Sequence, residues 1–275
     1  MRSAVIYPHA MKAAVSRRPL RFAAAVVALL AALAACVLGA WRPWAPLSTT
    51  DASASGTETA IVAPAPLVLP EHPTVLVFGD SWTYGSAATV PTLGYAYLLA
   101  DLLDGSTVVK GVRGSGYLKP GIDGPAYGER IAALDPALAP DLVIIQGSIN
   151  DRSLGEVGYR EAVTSAWDAM AAIYPKAQIV VLGPAPHVLP VGGGTARIDR
   201  DLSALAAARG WWYISPVAEH WITTGNYLDV IDVEVGRRHP STAGHHYLAE
   251  RLAADLDALR GAPVTEAGSK SSPQQ

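Results

Sequence analysis

Short apolar segments alternate with segments of helical periodicity through the middle of the chain, and this alternation most limits the possible fold. The apolar segments predict strands over residues 74–78, 107–112, 141–146, 178–182 and 211–214. The third of them is apolar at consecutive positions, which is typical of a strand covered on both faces. Strands that alternate with helices form parallel sheets. The sequence therefore predicts an α/β fold, a three-layer α/β/α sandwich around a five-stranded parallel sheet.

The segments between these strands carry apolar side chains at spacings of three and four residues, the period of one helix face. Helices are predicted over residues 93–103 and 126–134, around Val163, Trp167, Met170 and Tyr174, around Ile198, Leu202 and Leu205, and from near Ser241 through Leu248, Leu252, Leu256 and Leu259. Each predicted helix therefore has one apolar face to lay against the sheet.

The composition divides the chain into four parts. Residues 1–41 combine a basic segment with an apolar run, and residues 42–70 form a linker rich in Pro, Ala, Ser and Thr. The predicted domain covers residues 71–262, long enough for a full hydrophobic core. The polar residues 263–275 are predicted to be a disordered tail.

The apolar run from about residue 22 to 41 follows three arginines and carries no charge. About 20 apolar residues cross a bilayer, so the run is predicted to be a signal anchor with its basic flank in the cytoplasm. A cleaved secretory signal is an alternative. A third reading makes Cys36 the lipidated residue of a lipoprotein signal. Each of the three places the domain outside the cytoplasm, either anchored at the cell membrane or secreted.

The overall charge and the cysteine content exclude several classes of protein. The formal net charge is −3, and no basic face indicates a nucleic-acid partner. A single cysteine excludes an internal disulfide framework and a cysteine-rich zinc site. The seven histidines form no metal-binding motif. We therefore expect neither a cofactor nor a metal. The alanine-rich composition and the basic-then-apolar leader are typical of a bacterium with a GC-rich genome.

Four short segments with chemically useful residues fall at the predicted ends of the strands or before the last helix. They are Gly79 to Ser81 after the first strand, Gly111 to Gly116 after the second, Gly147 to Asp151 after the third, and His239 before the last helix. Open α/β sheets bind their ligands at the carboxyl ends of the strands. We expect the ends of the first and third strands to flank that crevice.

In this order the four segments resemble the SGNH (GDSL-type) hydrolase family, and the resemblance covers about residues 74–260. It implies the flavodoxin-like fold of that family and the cleavage of an ester through an acyl-serine. Ser81 matches the family's nucleophile and His239 matches the base that a serine hydroxyl needs. The Ser81 amide, Gly114 and Asn150 match the donors of the oxyanion hole, with Gly116 a close competitor for the role of Gly114.

The sequence departs from the family pattern at two places. The family usually has an aspartate three residues before the catalytic histidine, to orient the imidazole, and Gly236 stands there. Asp232 is the favoured replacement and Glu234 an alternative. A backbone carbonyl that orients His239 in a Ser-His dyad is the third reading. The second departure is Ser148, where the family often has glycine.

Arg237 and Arg238, next to the predicted base, disfavour its protonated form. They are also suited to recognise an anionic substrate.

The sequence as a whole indicates an exported serine esterase or lipase-type hydrolase of a glycan, lipid or small acyl ester. One alternative is an O-acyltransferase that modifies an envelope glycan. Another is a non-catalytic glycan-binding module on the same scaffold, which the missing aspartate suggests. The predicted partners are the ester substrate and, through the N-terminal apolar segment, a membrane.

Overall fold

The computed structural model describes residues 64–261, and its sheet has the predicted architecture. Five parallel strands lie in the order β2-β1-β3-β4-β5. This is the flavodoxin-like order of doubly wound sheets. The strands are β1 (Thr74–Gly79), β2 (Ser106–Gly111), β3 (Leu142–Gln146), β4 (Gln178–Leu182) and β5 (Trp212–Ile214). The predicted α/β/α sandwich with a five-stranded parallel sheet is confirmed.

Helices cover both faces of the sheet, and each predicted helix is present. They are α1 (Ser81–Tyr84), α2 (Tyr95–Leu102), α3 (Tyr127–Ala132), α4 (Tyr159–Ile173), α5 (Gly193–Ala207), α6 (Tyr227–Val230) and α7 (Thr242–Arg260). Three short 3-10 helices lie at Pro91–Leu93, Pro136–Leu138 and Ile149–Ser153. The short elements were not predicted, because they contain too few residues to show a period.

The sheet separates two hydrophobic cores. Successive side chains of a strand point to opposite faces, so Val75 and Val77 of β1 enter one core while Leu76 and Phe78 enter the other. The first core is closed by side chains of α2 and α7, and the second by side chains of α3, α4 and α5. All four β1 residues are essentially inaccessible to solvent, which fixes the end of this strand in place.

The chain changes winding direction between β1 and β3, and this creates the crevice. β2 pairs with one edge of β1, while β3, β4 and β5 follow on its other side. Loops at the carboxyl ends of β1 and β3 must therefore diverge, as expected at a topological switch point. The predicted position of the crevice, beside the ends of the first and third strands, is confirmed.

A small antiparallel ladder that was not predicted supports the histidine. Its strands are β6 (Ile231–Asp232) and β7 (His239–Pro240), with Asp232 directly opposite His239. The connecting loop contains two successive residues in the left-handed region, Arg237 with φ 51° and Arg238 with φ 68°. Such a conformation is uncommon for residues other than glycine. The ladder sets where the histidine enters the crevice.

The predicted start of the domain at residue 71 lies too far along the chain. Leu67 is buried in the first core, and its N–H donates to the Leu259 carbonyl at 3.0 Å. The Ala65 carbonyl accepts from Trp212 Nε1 at 2.8 Å. The last part of the predicted linker is therefore part of the fold, because its apolar residues cover the end of α7 and the start of β5.

The other predictions for the two ends fall outside the described residues. They are the leader with Cys36, residues 42–63 of the linker and the tail 263–275. Within residues 64–261, none of the helices has the length and apolar character needed to span a bilayer.

Candidate active site

Ser81 is presented by a tight turn at the carboxyl end of β1. It is the first residue of α1, and the preceding Asp80 caps this helix by accepting from the Trp82 N–H at 2.9 Å. The Gln146 side chain accepts from the Asp80 N–H at 3.1 Å, which ties the turn to the end of β3. Side-chain caps of this kind satisfy amides that a helix start leaves open. The serine is therefore held rigidly, and only 6% of its surface is exposed.

The structure brings Ser81 and His239 together although they are far apart in the sequence. The distance between Ser81 Oγ and His239 Nε2 is 2.8 Å. His239 Nδ1 lies 2.8 Å from the Gly236 carbonyl oxygen. A carbonyl oxygen can only accept, so Nδ1 carries the proton of the neutral ring. Nε2 then has a free lone pair facing the serine hydroxyl, as a general base requires.

The structure corrects the expectation that Asp232 orients His239. The Asp232 carboxylate instead accepts from the N–H groups of Glu234 and Val235, both at 3.0 Å. The N–H groups of Gly236, Glu234 and Val235 lower the pKa of this carboxyl. The side chain is needed inside its own loop and has no bond to the imidazole.

Glu234, the alternative acid, is exposed and makes no side-chain hydrogen bond to His239. Of the three readings offered by the sequence, the geometry therefore matches the backbone carbonyl. Gly236 supplies that carbonyl, and a side chain at its position would meet Ala87 Cβ at 2.6 Å and Asp232 Cβ at 2.7 Å. The residue that takes the family's aspartate position is constrained to be small.

Two backbone amides are placed to serve as oxyanion donors. Ser81 and Gly114 both line the cleft, and neither N–H has an acceptor among residues 64–261. Gly114 has φ 75°, the left-handed conformation that glycine adopts without strain. Gly116, its competitor, donates its N–H to the Lys119 carbonyl at 2.8 Å. The geometry therefore favours Gly114 over Gly116.

Asn150, the third predicted donor, also lines the cleft, but its amide is already engaged. Its Nδ2 atom lies 2.9 Å from Ser148 Oγ, 3.0 Å from the Ser115 carbonyl and 3.2 Å from Asp80 Oδ2. Two hydrogens thus face three acceptors. An oxyanion at this position would have to take one of these hydrogens.

Ser148 holds Asn150 in place, a role that the sequence did not indicate. Its hydroxyl donates to the Ser115 carbonyl at 2.8 Å and accepts from the Asn150 N–H at 3.0 Å. The side chain is fully buried. Ser148 therefore joins the loop after β2 to the loop after β3. Because its acceptor is a backbone atom 33 residues away, no local sequence pattern could have revealed it.

Asp80 is the most perturbed acid of the site. Burial raises its pKa to about 6, opposed by the Trp82 N–H, Ser148 and the charges of His239 and Arg130. A carboxylate kept out of water favours its neutral form. The residue lies beside Asn150 and near the base, so its charge contributes to the field around both.

Two other histidines, His187 and His245, pack near the site without a place in the Ser81–His239 pair. His245 is buried, accepts from the Tyr95 N–H at 3.2 Å and bonds the Ser86 carbonyl at 3.0 Å. Burial lowers its pKa to about 4, which keeps it neutral. His187 lies near His239, and burial, Arg152, Arg238 and His239 together lower its pKa to about 4. The structure thus gives His245 a packing role.

These groups open into a cleft of about 770 Å³. A model of the GDSL-like lipase/acylhydrolase family matches residues 77–267, more than half of the chain. The chain belongs to this family. The predicted resemblance to the SGNH (GDSL-type) hydrolases is confirmed, and the family's description as lipases and acylhydrolases supports the predicted ester hydrolase.

One curated relative from the same family is GDSL lipase Rv0518 of Mycobacterium tuberculosis. It is 31% identical over 144 residues, which are 50% of this chain and 59% of the relative. The chain therefore aligns with little more than half of that protein.

Solved structures share the fold at lower sequence identity. A putative arylesterase from Agrobacterium tumefaciens is 24% identical with a TM-score of 0.51, over 68% of this chain and 99% of its own. A family two carbohydrate esterase from Clostridium thermocellum, solved with cellohexaose, is 21% identical with a TM-score of 0.53. That match covers 73% of this chain and 67% of the other. At these identities the likeness concerns the fold alone.

Proposed function

We propose that the protein is a serine esterase that cleaves an O-acyl ester through an acyl-serine, with Ser81 as nucleophile and His239 as base. The observation that carries the proposal is the 2.8 Å contact from Ser81 Oγ to His239 Nε2, on a ring whose other nitrogen is held by a carbonyl. This arrangement aims the basic lone pair at the hydroxyl proton.

In the first half of the reaction, Ser81 Oγ attacks the ester carbonyl carbon and its proton passes to His239 Nε2. The carbonyl electrons move to the oxygen, which the amides of Ser81 and Gly114 stabilise. Asn150 adds a third donor when one hydrogen turns from its present acceptor. The intermediate collapses, the carbon–oxygen bond to the alcohol breaks, and the alcohol leaves with the proton from Nε2. Each donor of this kind contributes roughly 3–4 kcal/mol in known enzymes.

In the second half, water replaces the alcohol. His239 takes a proton from water, the hydroxide oxygen attacks the acyl-serine, and the same donors receive the second oxyanion. Collapse breaks the bond to Ser81 Oγ, which regains its proton from Nε2. The carboxylic acid is released and the neutral imidazole is restored. No cofactor takes part in this scheme.

The base works in this scheme without a carboxylate partner. The Gly236 carbonyl fixes the tautomer and the orientation of the ring, which are two of the roles of a triad acid. It carries only a partial negative charge, so it stabilises the imidazolium less than a carboxylate would. We therefore propose a Ser-His dyad.

Transfer of the acyl group to a sugar hydroxyl is the second candidate. The Ser81–His239 site could serve either reaction, and the cleft is large enough to admit an acceptor as well as water. Product analysis with and without an added sugar separates the two reactions. The same Ser81–His239 contact supports an enzyme over the non-catalytic glycan-binding module.

We further propose that the domain acts outside the cytoplasm, tethered or released through the apolar run at residues 22–41. The proposal rests on the uncharged run behind a basic flank. Protease accessibility of the domain in intact cells tests it, and complete protection in intact but not lysed cells would contradict it.

The nucleophile is tested by a fluorophosphonate probe, which labels activated serines. The full-length chain in mild detergent is compared with Ser81→Ala and with Ser165→Ala, an exposed serine on α4 that serves as the matched control. We expect labelling of the wild type and of the control, and none of Ser81→Ala. Labelling that survives in Ser81→Ala would remove Ser81 from the proposed role.

A further inference from the structure

Two cationic side chains line the catalytic cleft without an acidic partner. Lys119 and Arg237 both line it and both are exposed. Neither belongs to any ion pair within residues 64–261. They come from different loops, one after β2 and the other between β6 and β7. The cleft therefore receives positive charge from two separate segments.

The other charged groups of the cleft are already satisfied. Arg113 makes a two-point ion pair with Asp123, in which Arg113 Nη2 lies 2.8 Å from Asp123 Oδ1. Among residues 64–261, the one acidic residue that lines the cleft is Asp232, whose carboxylate accepts from backbone amides of its own loop. The two positive charges of Lys119 and Arg237 therefore outnumber the single negative charge of Asp232, and these three residues give the cleft a positive balance.

The backbone positions of these two residues are fixed. The Lys119 N–H donates to the buried carboxylate of Asp151 at 3.0 Å, and its carbonyl accepts from Gly116. Arg237 adopts φ 51° in the loop that leads to His239. A non-glycine residue in this conformation costs free energy, so the surrounding hairpin must hold it there. The backbone of each cationic residue therefore has a defined position in the lining of the cleft.

Positive charge in the cleft also bears on the reaction step at the proposed base. Attack by Ser81 leaves a positive charge on His239, and a nearby like charge disfavours it. A triad acid would offset this effect, but the Gly236 carbonyl stands in its place. A negatively charged substrate would remove the conflict, because it would neutralise the cations during the step that creates the imidazolium.

We propose that the ester substrate carries an anionic group, a carboxylate or a phosphate, bound between Lys119 and Arg237. This inference rests on the proposed function of Ser81 and His239 and names the substrate class of that site. The bound anion does more than add affinity. It restores negative charge to a site whose base lacks a carboxylate, so it raises kcat as well as lowering KM.

The kinetic test compares esters of equal length that differ in charge. The substrates are 4-nitrophenyl hemiadipate beside its neutral methyl ester, and plain 4-nitrophenyl acetate beside the same ester with a phosphate on the ring. The first carries its anion on the acyl side and the last on the alcohol side. Hydrogen bonds to charged groups contribute about 1.5–3 kcal/mol. We therefore expect at least one anionic ester to exceed its uncharged counterpart about tenfold in kcat/KM.

Variants assign the effect to the two residues. Lys119→Gln and Arg237→Gln should each remove most of the preference for the anionic ester over its neutral counterpart. Lys176→Gln is the matched control. Lys176 is an exposed lysine just before β4, at the opposite end of the strands from the cleft, and its substitution should leave the preference unchanged. Equal rates for charged and neutral esters in the wild type, or a preference that survives both variants, overturn the proposal.

A binding measurement keeps this proposal separate from the proposed chemistry. Calorimetry on full-length Ser81→Ala compares monomethyl adipate, an anion, with dimethyl adipate. Tighter binding of the anion that is lost in the Lys119→Gln background supports the subsite even if the fluorophosphonate probe fails to label Ser81. Equal binding of the two compounds rejects the subsite even if the probe labels Ser81.

Discussion

The two sides of the catalytic cleft are built in different ways. On the oxyanion side, the side chains of the buried Ser148 and the half-buried Asn150 link the loops after β2 and β3. On the base side, His239 depends on a backbone carbonyl in an exposed hairpin loop. The position of Asn150 is thus fixed by side-chain identity, and the orientation of His239 by backbone conformation. The two sides should therefore respond differently to conservative substitution.

The largest effect is expected on the oxyanion side, from Asn150→Ala. Loss of one oxyanion donor costs about 10²- to 10³-fold in kcat in a known protease, and we expect a similar loss with little change in KM. Steady-state kinetics on a 4-nitrophenyl ester measures it. A loss below about threefold would show that the amide, engaged by Ser115, Ser148 and Asp80, never turns to the oxyanion.

Ser148→Ala should have the next largest effect, about a tenfold loss of kcat, because a positioning hydrogen bond is worth about 1 kcal/mol or somewhat more when buried. The Asn150 side chain remains but loses its 2.9 Å contact. The double variant with Asn150→Ala separates positioning from bulk destabilisation. If Ser148 acts through Asn150, its loss in the double variant should add almost nothing.

Asp232→Asn should have a small effect, less than about fivefold in kcat, whereas isosteric removal of a true triad acid costs about 10⁴-fold. An asparagine oxygen can still accept from the Glu234 and Val235 amides. Kinetics at several pH values measures the change. A loss of several orders of magnitude would restore Asp232 as the acid and end the contrast between the two sides.

A separate effect, on stability and not on rate, comes from the buried carboxyl of Asp80. Burial raises its pKa in the folded chain to about 6, above the ordinary value of 3.8, so the folded chain binds the proton more tightly than the unfolded chain. Between pH 4 and 6 this group therefore gives stability that is lost as pH rises, by up to about 1.4 kcal/mol per pH unit.

Asp80→Asn should remove that part of the pH dependence. Denaturant titration measures the unfolding free energy of both proteins. From pH 4 to pH 6, that of the wild type should fall relative to that of Asp80→Asn. A difference that stays constant across this range would contradict the perturbed pKa.

The sheet was predictable because its strands are short, consecutive apolar runs. The predicted range of β4 agrees with the structure, and the ends of β1 differ by a single residue. The hairpin of β6 and β7 escaped prediction because each strand has two residues. Its register depends on pairing between Asp232 and His239. The local sequence pattern does not indicate which residues pair in such a short ladder.

The reacting pair was predictable from motif order, and its surroundings were not. Ser81 and His239 were placed by their segments, and the structure sets them 2.8 Å apart. Asp232 was predicted as the acid because it lies close to His239 in the sequence. In the structure, the N–H groups of Glu234 and Val235 donate to its carboxylate instead. Ser148 and Lys119 gain their positions through contacts with residues more than 30 positions away. Such contacts cannot be predicted from local sequence, because they form only when folding brings the loops together.

The contact between the Leu67 N–H and the Leu259 carbonyl places the entry and the exit of the domain side by side. Both ends lie near the starts of β4 and β5, where Val68 bonds Gln178 and Ala65 bonds Trp212. The catalytic cleft opens at the opposite end of the sheet, beside the carboxyl ends of the strands. A bead, an electrode surface or a fused partner attached at either end would thus leave the mouth of the cleft unobstructed, which makes this domain suitable for oriented immobilisation.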